Sequence, residues 1–309
     1  MVRTQLYARG YLMAGLVAAA AMLSFAPARP PPRTDGRAVA CAARSRPRAL
    51  ASGDADRDGL ADDEESALAA RYAPVVVLDP GDRYRPASVD WLLARLPAGG
   101  ASPRDRLAAA FGHPRAALPE ALRTGSADPR DWVSYVHVYP RADGGINLQY
   151  WFFYPYNDGF LFPFDHDGDW EHVTVHLDEE RRPRELMLAQ HGNTRPGAIR
   201  AWESLTREGD HPMVLSARGG HASYPDGASA PWFERVSPCV RLAGCGSPIW
   251  RTWQAGGLVN IGERGALFDA DGAFAYDGRW GSDSSWFRVS GAPHSPPYQR
   301  RSFQSAGFD

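Results

Sequence analysis

The 309-residue chain contains no lysine; all 34 of its non-histidine cationic side chains are arginines. That excludes Schiff-base catalysis, a P-loop lysine and a Ser-Lys dyad, each of which needs the ammonium group itself. There is no G-x-S-x-G elbow to present a nucleophilic serine. Cysteine is scarce, with three residues and no C-x-x-C, so a thiolate metal site has little to build on. The formal net charge of -2 lacks the basic footprint of nucleic-acid binding, and no nucleic-acid partner is expected. Long apolar runs are missing too, apart from one near the N-terminus.

That run reads as a secretory signal. Arg3 and Arg9 form a positive n-region, Tyr11 to Phe25 is apolar, and Ala26-Pro27-Ala28 offers an A-x-A cleavage site. Residues 1–28 are therefore expected to be a signal peptide and the protein to be secreted; the alternative is an uncleaved N-terminal anchor. Residues 29–53, dominated by Pro, Arg and Ala, read as a flexible linker. In an oxidising compartment Cys239 and Cys245 are expected to form a disulfide across Val-Arg-Leu-Ala-Gly, while Cys41 has no evident partner.

From Ala73 onward the pattern is mainly β. VVVL at 75–78 is a short apolar strand. WVSYVHVYP (132–140) and INLQYWFFY (146–154) alternate on either side of RADGG, which predicts a hairpin. DWEHVTVHLD (169–178), ELMLAQHG (185–192) and HPMVLSARGGHASYP (211–225) add further strands. Helices are expected at Asp63–Tyr72 and at 88–96, the second capped by Ser88. Short strands between Gly, Pro and Asp clusters predict a β-sandwich with long loops over 73–309, preceded by a small loop-and-helix unit over 54–72.

That unit opens with DADRDGLADDEE, which matches the calcium loop D-x-D-x-D-G-x5-E place by place. Asp54, Asp56 and Asp58 fill places 1, 3 and 5, and Gly59 makes the sharp turn. Leu60 offers its carbonyl at place 7, Asp62 stands at place 9, and Glu65 closes the loop at place 12. So many acidic side chains in twelve residues need a hard cation among them. No helix is expected before Asp54, so this is a single loop rather than a helix-loop-helix hand.

A second acidic cluster lies in FPFDHDGDWEHVTVHL (162–177). On a strand, Asp169, Glu171, Val173, Val175 and Leu177 share one face, and Trp170, His172, Thr174 and His176 share the other. The apolar face belongs to the core, so two carboxylates stand at its mouth one pleat apart. Left unpaired there they would be very costly, and a divalent cation (calcium, magnesium or manganese) removes the cost. His166 and Asp158 can reach the same ion. His172 and His176 have the i, i+4 spacing of a helical zinc pair, but on a strand four residues span about 13 Å.

The segment QYWFFYPYNDGFLFPFDHDGDWEHVTVHL resembles the core of the necrosis- and ethylene-inducing-like proteins. In that family an Asp after a Y-W-F-type strand, together with H-x-x-D-W-E, binds one divalent cation at the mouth of a β-sandwich. The resemblance implies a site at Asp158, His166, Asp169 and Glu171, with Gly168 where the family has a second His. GDWEHVTVHL, AQHG, HPMVLSARGGHASYP, GLVNIGERG and YDGRWG, in that order, are similar to the vacuolar protein sorting-associated protein 62 family from about Tyr72 to Trp280. That family's name implies no defined activity.

Three functions are compatible with these residues. The first is a secreted binding module whose cation, ringed by Trp151, Trp170, Trp202 and Tyr224, meets a carbohydrate or a lipid headgroup, with membrane-surface contact. The second is a hydrolase using Asp169 and Glu171 as a carboxylate pair or a metal-activated water. The third is a structural surface domain. His191 and His221, beside glycines at strand ends, are candidates to support the metal ligands from behind.

Overall fold

Two long strands organise the fold: β3 (Ile146–Asn157) and β4 (His166–Leu177), antiparallel along their length, with Tyr154 opposite Asp169 and Phe152 opposite Glu171. The computed structural model describes residues 53–97, 99–113, 117–159, 165–190, 198–231, 236, 246–254, 256–262, 270–281 and 291–299. The expected signal peptide, Cys41, Cys239, Cys245 and His191 lie outside the described residues, as does nearly all of the expected linker.

β3 and β4 sit at the centre of a six-stranded sheet. β2 (Ser134–Pro140) closes the expected hairpin on β3, and β11 (Leu258–Asn260) runs parallel to β2 at the edge. β5 (Pro183–Leu188) and β6 (Ile199–Ala201) extend the other side. The second sheet contains β10 (Ile249–Arg251), β1 (Val75–Val77), β8 (His211–Ser216) and β7 (Arg207–Glu208), with β9 (Ser223–Tyr224) also paired to β8.

The two sheets pack face to face as a β-sandwich. Val76, Val214 and Trp250 from one meet Val136, Leu148, Tyr150, Phe152, Val173, Val175 and Leu186 from the other in one buried cluster. This is the alternation read from the sequence: Val173, Val175 and Leu177 face inward. The loop at 54–65 and α1 (Asp62–Tyr72) join the same core through Leu60, Leu68, Ala69 and Tyr72.

The outer face of β4 is not a solvent face. α2 (Val89–Arg95), capped as expected by Ser88 accepting from the Trp91 N–H at 3.0 Å, lies over it together with α3 (Pro103–Phe111). A short α4 (Glu120–Arg123) follows. The helices bury Tyr135, Trp151, Phe153 and Trp170 in a second core with Trp280. The reason is in the residues: Trp151, Phe153 and Trp170 are too large and apolar for an exposed face, and burying each is worth a few kcal/mol. His172 is buried with them, its ring against Trp151 at 4.2 Å. No helix among the described residues is long and apolar enough to cross a membrane.

Candidate functional site

The front loop folds as its sequence requires. Gly59 takes φ +94°, a conformation open to glycine and strained for other residues, and its N–H donates to Asp54 Oδ2 at 3.1 Å. The Leu60 N–H donates to Asp58 Oδ1 at 2.7 Å, and the Leu60 side chain drops into the core. The Asp62 N–H closes the loop on the Gly53 carbonyl at 2.7 Å, and Asp62 Oδ1 accepts from the Ala55 N–H.

The result is a set of like charges held together. One ligand atom from each of Asp54, Asp56 and Asp58 lies within 4.8 Å of the others. Glu65, 1% exposed, lies outside that set but near enough for Asp56 and Asp58 to act on its carboxyl. One of its oxygens, Oε2, accepts from Asn260 Nδ2 at 2.7 Å; the other, Oε1, is buried without a hydrogen-bond partner, as is Asp54 Oδ1. Burial, then Asp56 and Asp58, pushes the Glu65 carboxyl up to about 8, although Asn260 pulls it down. Carboxylate oxygens without hydrogen-bond partners beside a converging set of aspartates match the donor set of a hard cation such as calcium. Asn260 was not foreseen, because it comes from β11 at the far end of the chain.

The second cluster is at the mouth of the sandwich. Asp169 (5% exposed) and Glu171 (3%) are buried on the inner face of β4. His221 Nδ1–H donates to Asp169 Oδ2 at 2.8 Å, and Nε2 lies 3.5 Å from Asp82 Oδ2. The His221 ring stacks flat on Tyr154 at 3.8 Å, and its backbone adopts φ +49°. Asp82 is fixed in turn: Oδ1 accepts from the Tyr84 N–H and Oδ2 from the Gly219 N–H. Next to it Arg218 pairs with Asp79 at 2.7 Å.

The four residues expected to share a cation are placed as follows. His166 is half-buried, and its Nδ1–H donates to the Gly168 carbonyl at 2.8 Å. A carbonyl only accepts, so in the neutral ring Nε2 presents its lone pair, the arrangement common in metal-ligating histidines. Asp158 is exposed, with its N–H on the Gly219 carbonyl at 2.8 Å. Asp165 is raised, first by burial and then by Asp158, with His166 also close enough to act on it. The structure does not draw Asp158, His166, Asp169 and Glu171 into one tight set. Among the described residues, three ligand atoms come within 4.8 Å of one another only at Asp54, Asp56 and Asp58.

One departure gains a physical reason, and one expectation changes. Gly168 has φ +65°, and a Cβ there would stand 2.7 Å from both the Trp280 Cβ and its carbonyl oxygen, so this backbone has no room for a histidine. The expected ring of Trp151, Trp170, Trp202 and Tyr224 does not surround the mouth. All four are buried, and Trp151 and Trp170 point into the opposite core. Near Asp158 the aromatic groups are instead Tyr84 and Tyr156, 5.1 Å apart, with Arg83 over one ring and Arg123 over the other. Asp82 and its D-P-G-D turn also escaped the sequence reading.

No protein-family model and no curated protein matches the chain. One solved structure, described as a toxin fold for microbial attack and plant defense, is similar at 16% identity over 79% of this chain and 90% of that one. Its TM-score is 0.41, a likeness that carries no functional weight.

Proposed function

We propose that the protein is a secreted, calcium-binding β-sandwich that recognises an oxygen-rich ligand, a carbohydrate or a lipid headgroup, at the mouth containing Asp158, His166, Asp169 and Glu171. The observation that carries the reading is the buried Glu65 Oε1, unpartnered beside the converging Asp54, Asp56 and Asp58. An ion there completes the loop and, through Leu60 and Tyr72, the core.

The mouth holds a second divalent cation in this reading. The His166 tautomer leaves Nε2 as a ligand atom, and Asp158 lies close enough to Asp165 to help raise its carboxyl. Tyr84 and Tyr156 supply faces for a sugar ring or headgroup, and Arg83 supplies charge, Arg123 being paired with the buried Asp167. A hydrolase would need Asp169 turned toward substrate; its buried bond to His221 favours a supporting role.

The test is the metal content of the purified protein, after equilibration with calcium and desalting, for the wild type, Asp58→Ala and Asp169→Ala. Two ions in the wild type and one in each variant support both sites. One ion in the wild type and none in Asp58→Ala restricts the reading to the front loop. No ion in the wild type sinks it.

A further inference from the structure

Asn260 ends β11, the edge strand of the six-stranded sheet, 195 residues beyond Glu65 in the sequence. Its amide is fixed at both ends. Nδ2 donates to Glu65 Oε2 at 2.7 Å, and Oδ1 accepts from the Gly262 N–H at 2.9 Å. Only one orientation of the amide fits, because the Gly262 N–H can only donate and so requires Oδ1 on its side. The next residue along, Ile261, donates its N–H to the Val136 carbonyl at 2.8 Å, so the segment is tied to β2 as well.

We infer that Asn260 is a positioning residue of the calcium site, and that occupancy of the site fixes the edge strand β11. The inference rests on the calcium reading of the front loop. By engaging Oε2, Asn260 fixes one side of the Glu65 carboxylate and leaves Oε1, buried without a hydrogen-bond partner, to serve the ion. A ligating carboxylate held by an outer partner is a general feature of metal sites, and removal of such a partner costs roughly 10–100-fold in affinity.

Coupling is reciprocal. An ion that draws Glu65 into place also holds the carboxylate on which Asn260 rests, and with it the end of β11. That strand is short, lies at an edge and leaves Val259 43% exposed; its other ties are the ladder to β2 and Leu258 against the core. Without the ion, the like charges in the loop repel one another, and the Glu65–Asn260 bond loses its fixed partner. The ion thus controls an edge strand that contributes no ligand of its own.

The experiment is a calcium titration of the metal-stripped full chain by calorimetry, wild type against Asn260→Ala, with melting temperatures taken in chelator. The expected result is a roughly tenfold loss of affinity at the front site in Asn260→Ala and little change in the chelator melting temperature. A merely structural role would lower that temperature and leave the affinity alone. As a second readout that needs no variant, calcium should slow amide exchange at Val259 through Gly262 in the wild type. Undiminished affinity in Asn260→Ala, or exchange in β11 indifferent to calcium, overturns the assignment alone. A wild type that takes no calcium overturns the site and the assignment together.

Discussion

His221 stands between two buried carboxylates, with Nδ1 at 2.8 Å from Asp169 Oδ2 and Nε2 at 3.5 Å from Asp82 Oδ2. The Nδ1–H donates to Asp169, while Nε2 faces Asp82 without a hydrogen bond of its own. Removing it leaves two acidic groups, each nearly inaccessible to water, without their shared partner. His221→Ala is therefore expected to destabilise the fold by about 1–3 kcal/mol, the cost of leaving a buried acceptor without its donor. Urea denaturation at neutral pH checks this; a loss below about 1 kcal/mol, the size of an exposed ion pair, would mean that the cluster is solvated.

Gly168 marks where this chain departs from the motif it resembles. Gly168→His puts a side chain at φ +65° and into the backbone of Trp280. The expected outcome is a lower melting temperature, from overpacking that typically costs about 1–3 kcal/mol, and no gain in metal affinity. A stable Gly168→His variant with tighter metal binding would show that the strand can be rebuilt to accept the ligand.

Leu60 separates the two duties of the front loop. Its side chain is in the core, while its carbonyl is the group the motif offers to the ion. Leu60→Ala should cost about 2–5 kcal/mol in stability yet keep one calcium bound at the loop. Asp58→Ala should do the reverse, abolishing loop binding with a smaller effect on the stripped protein. Chemical denaturation in chelator, paired with metal content, distinguishes the two.

His172 gives the fold a pH dependence unrelated to the mouth, since its side chain lies on the opposite face of β4 from Glu171. Burial pushes its imidazole down from 6.5 to about 3. The unfolded chain therefore binds the proton more readily than the folded one between those values. Stability should rise with pH across that window, by at most about 1.4 kcal/mol per pH unit from this group, and level off above it. A His172→Phe variant should show a flatter profile between pH 4 and 6; an unchanged slope would assign the effect to other groups.

Much of this architecture was legible because it is local. The 132–154 hairpin, the inward face of Val173, Val175 and Leu177, the Ser88 cap and the whole front loop are each contained in one short stretch. What escaped depends on distance along the chain. Asp82 and Gly219 meet across 137 residues, and Asn260 reaches Glu65 across 195. The doubly buried β4 was hidden because a polar reading of His172 and Thr174 outweighed the size of Trp151 and Trp170. α3 carried a usable signal in Ser102-Pro103, a capping serine followed by proline at the first helical position.

The most direct test is the melting temperature of chelator-stripped protein with and without millimolar calcium, in the wild type and in Glu65→Gln. If the loop ion completes the core, calcium at about a hundred times its dissociation constant stabilises by about 2.7 kcal/mol, a rise on the order of 5–10 °C. Glu65→Gln should lose most of that rise. Identical melting temperatures in chelator and in calcium for the wild type would contradict the account.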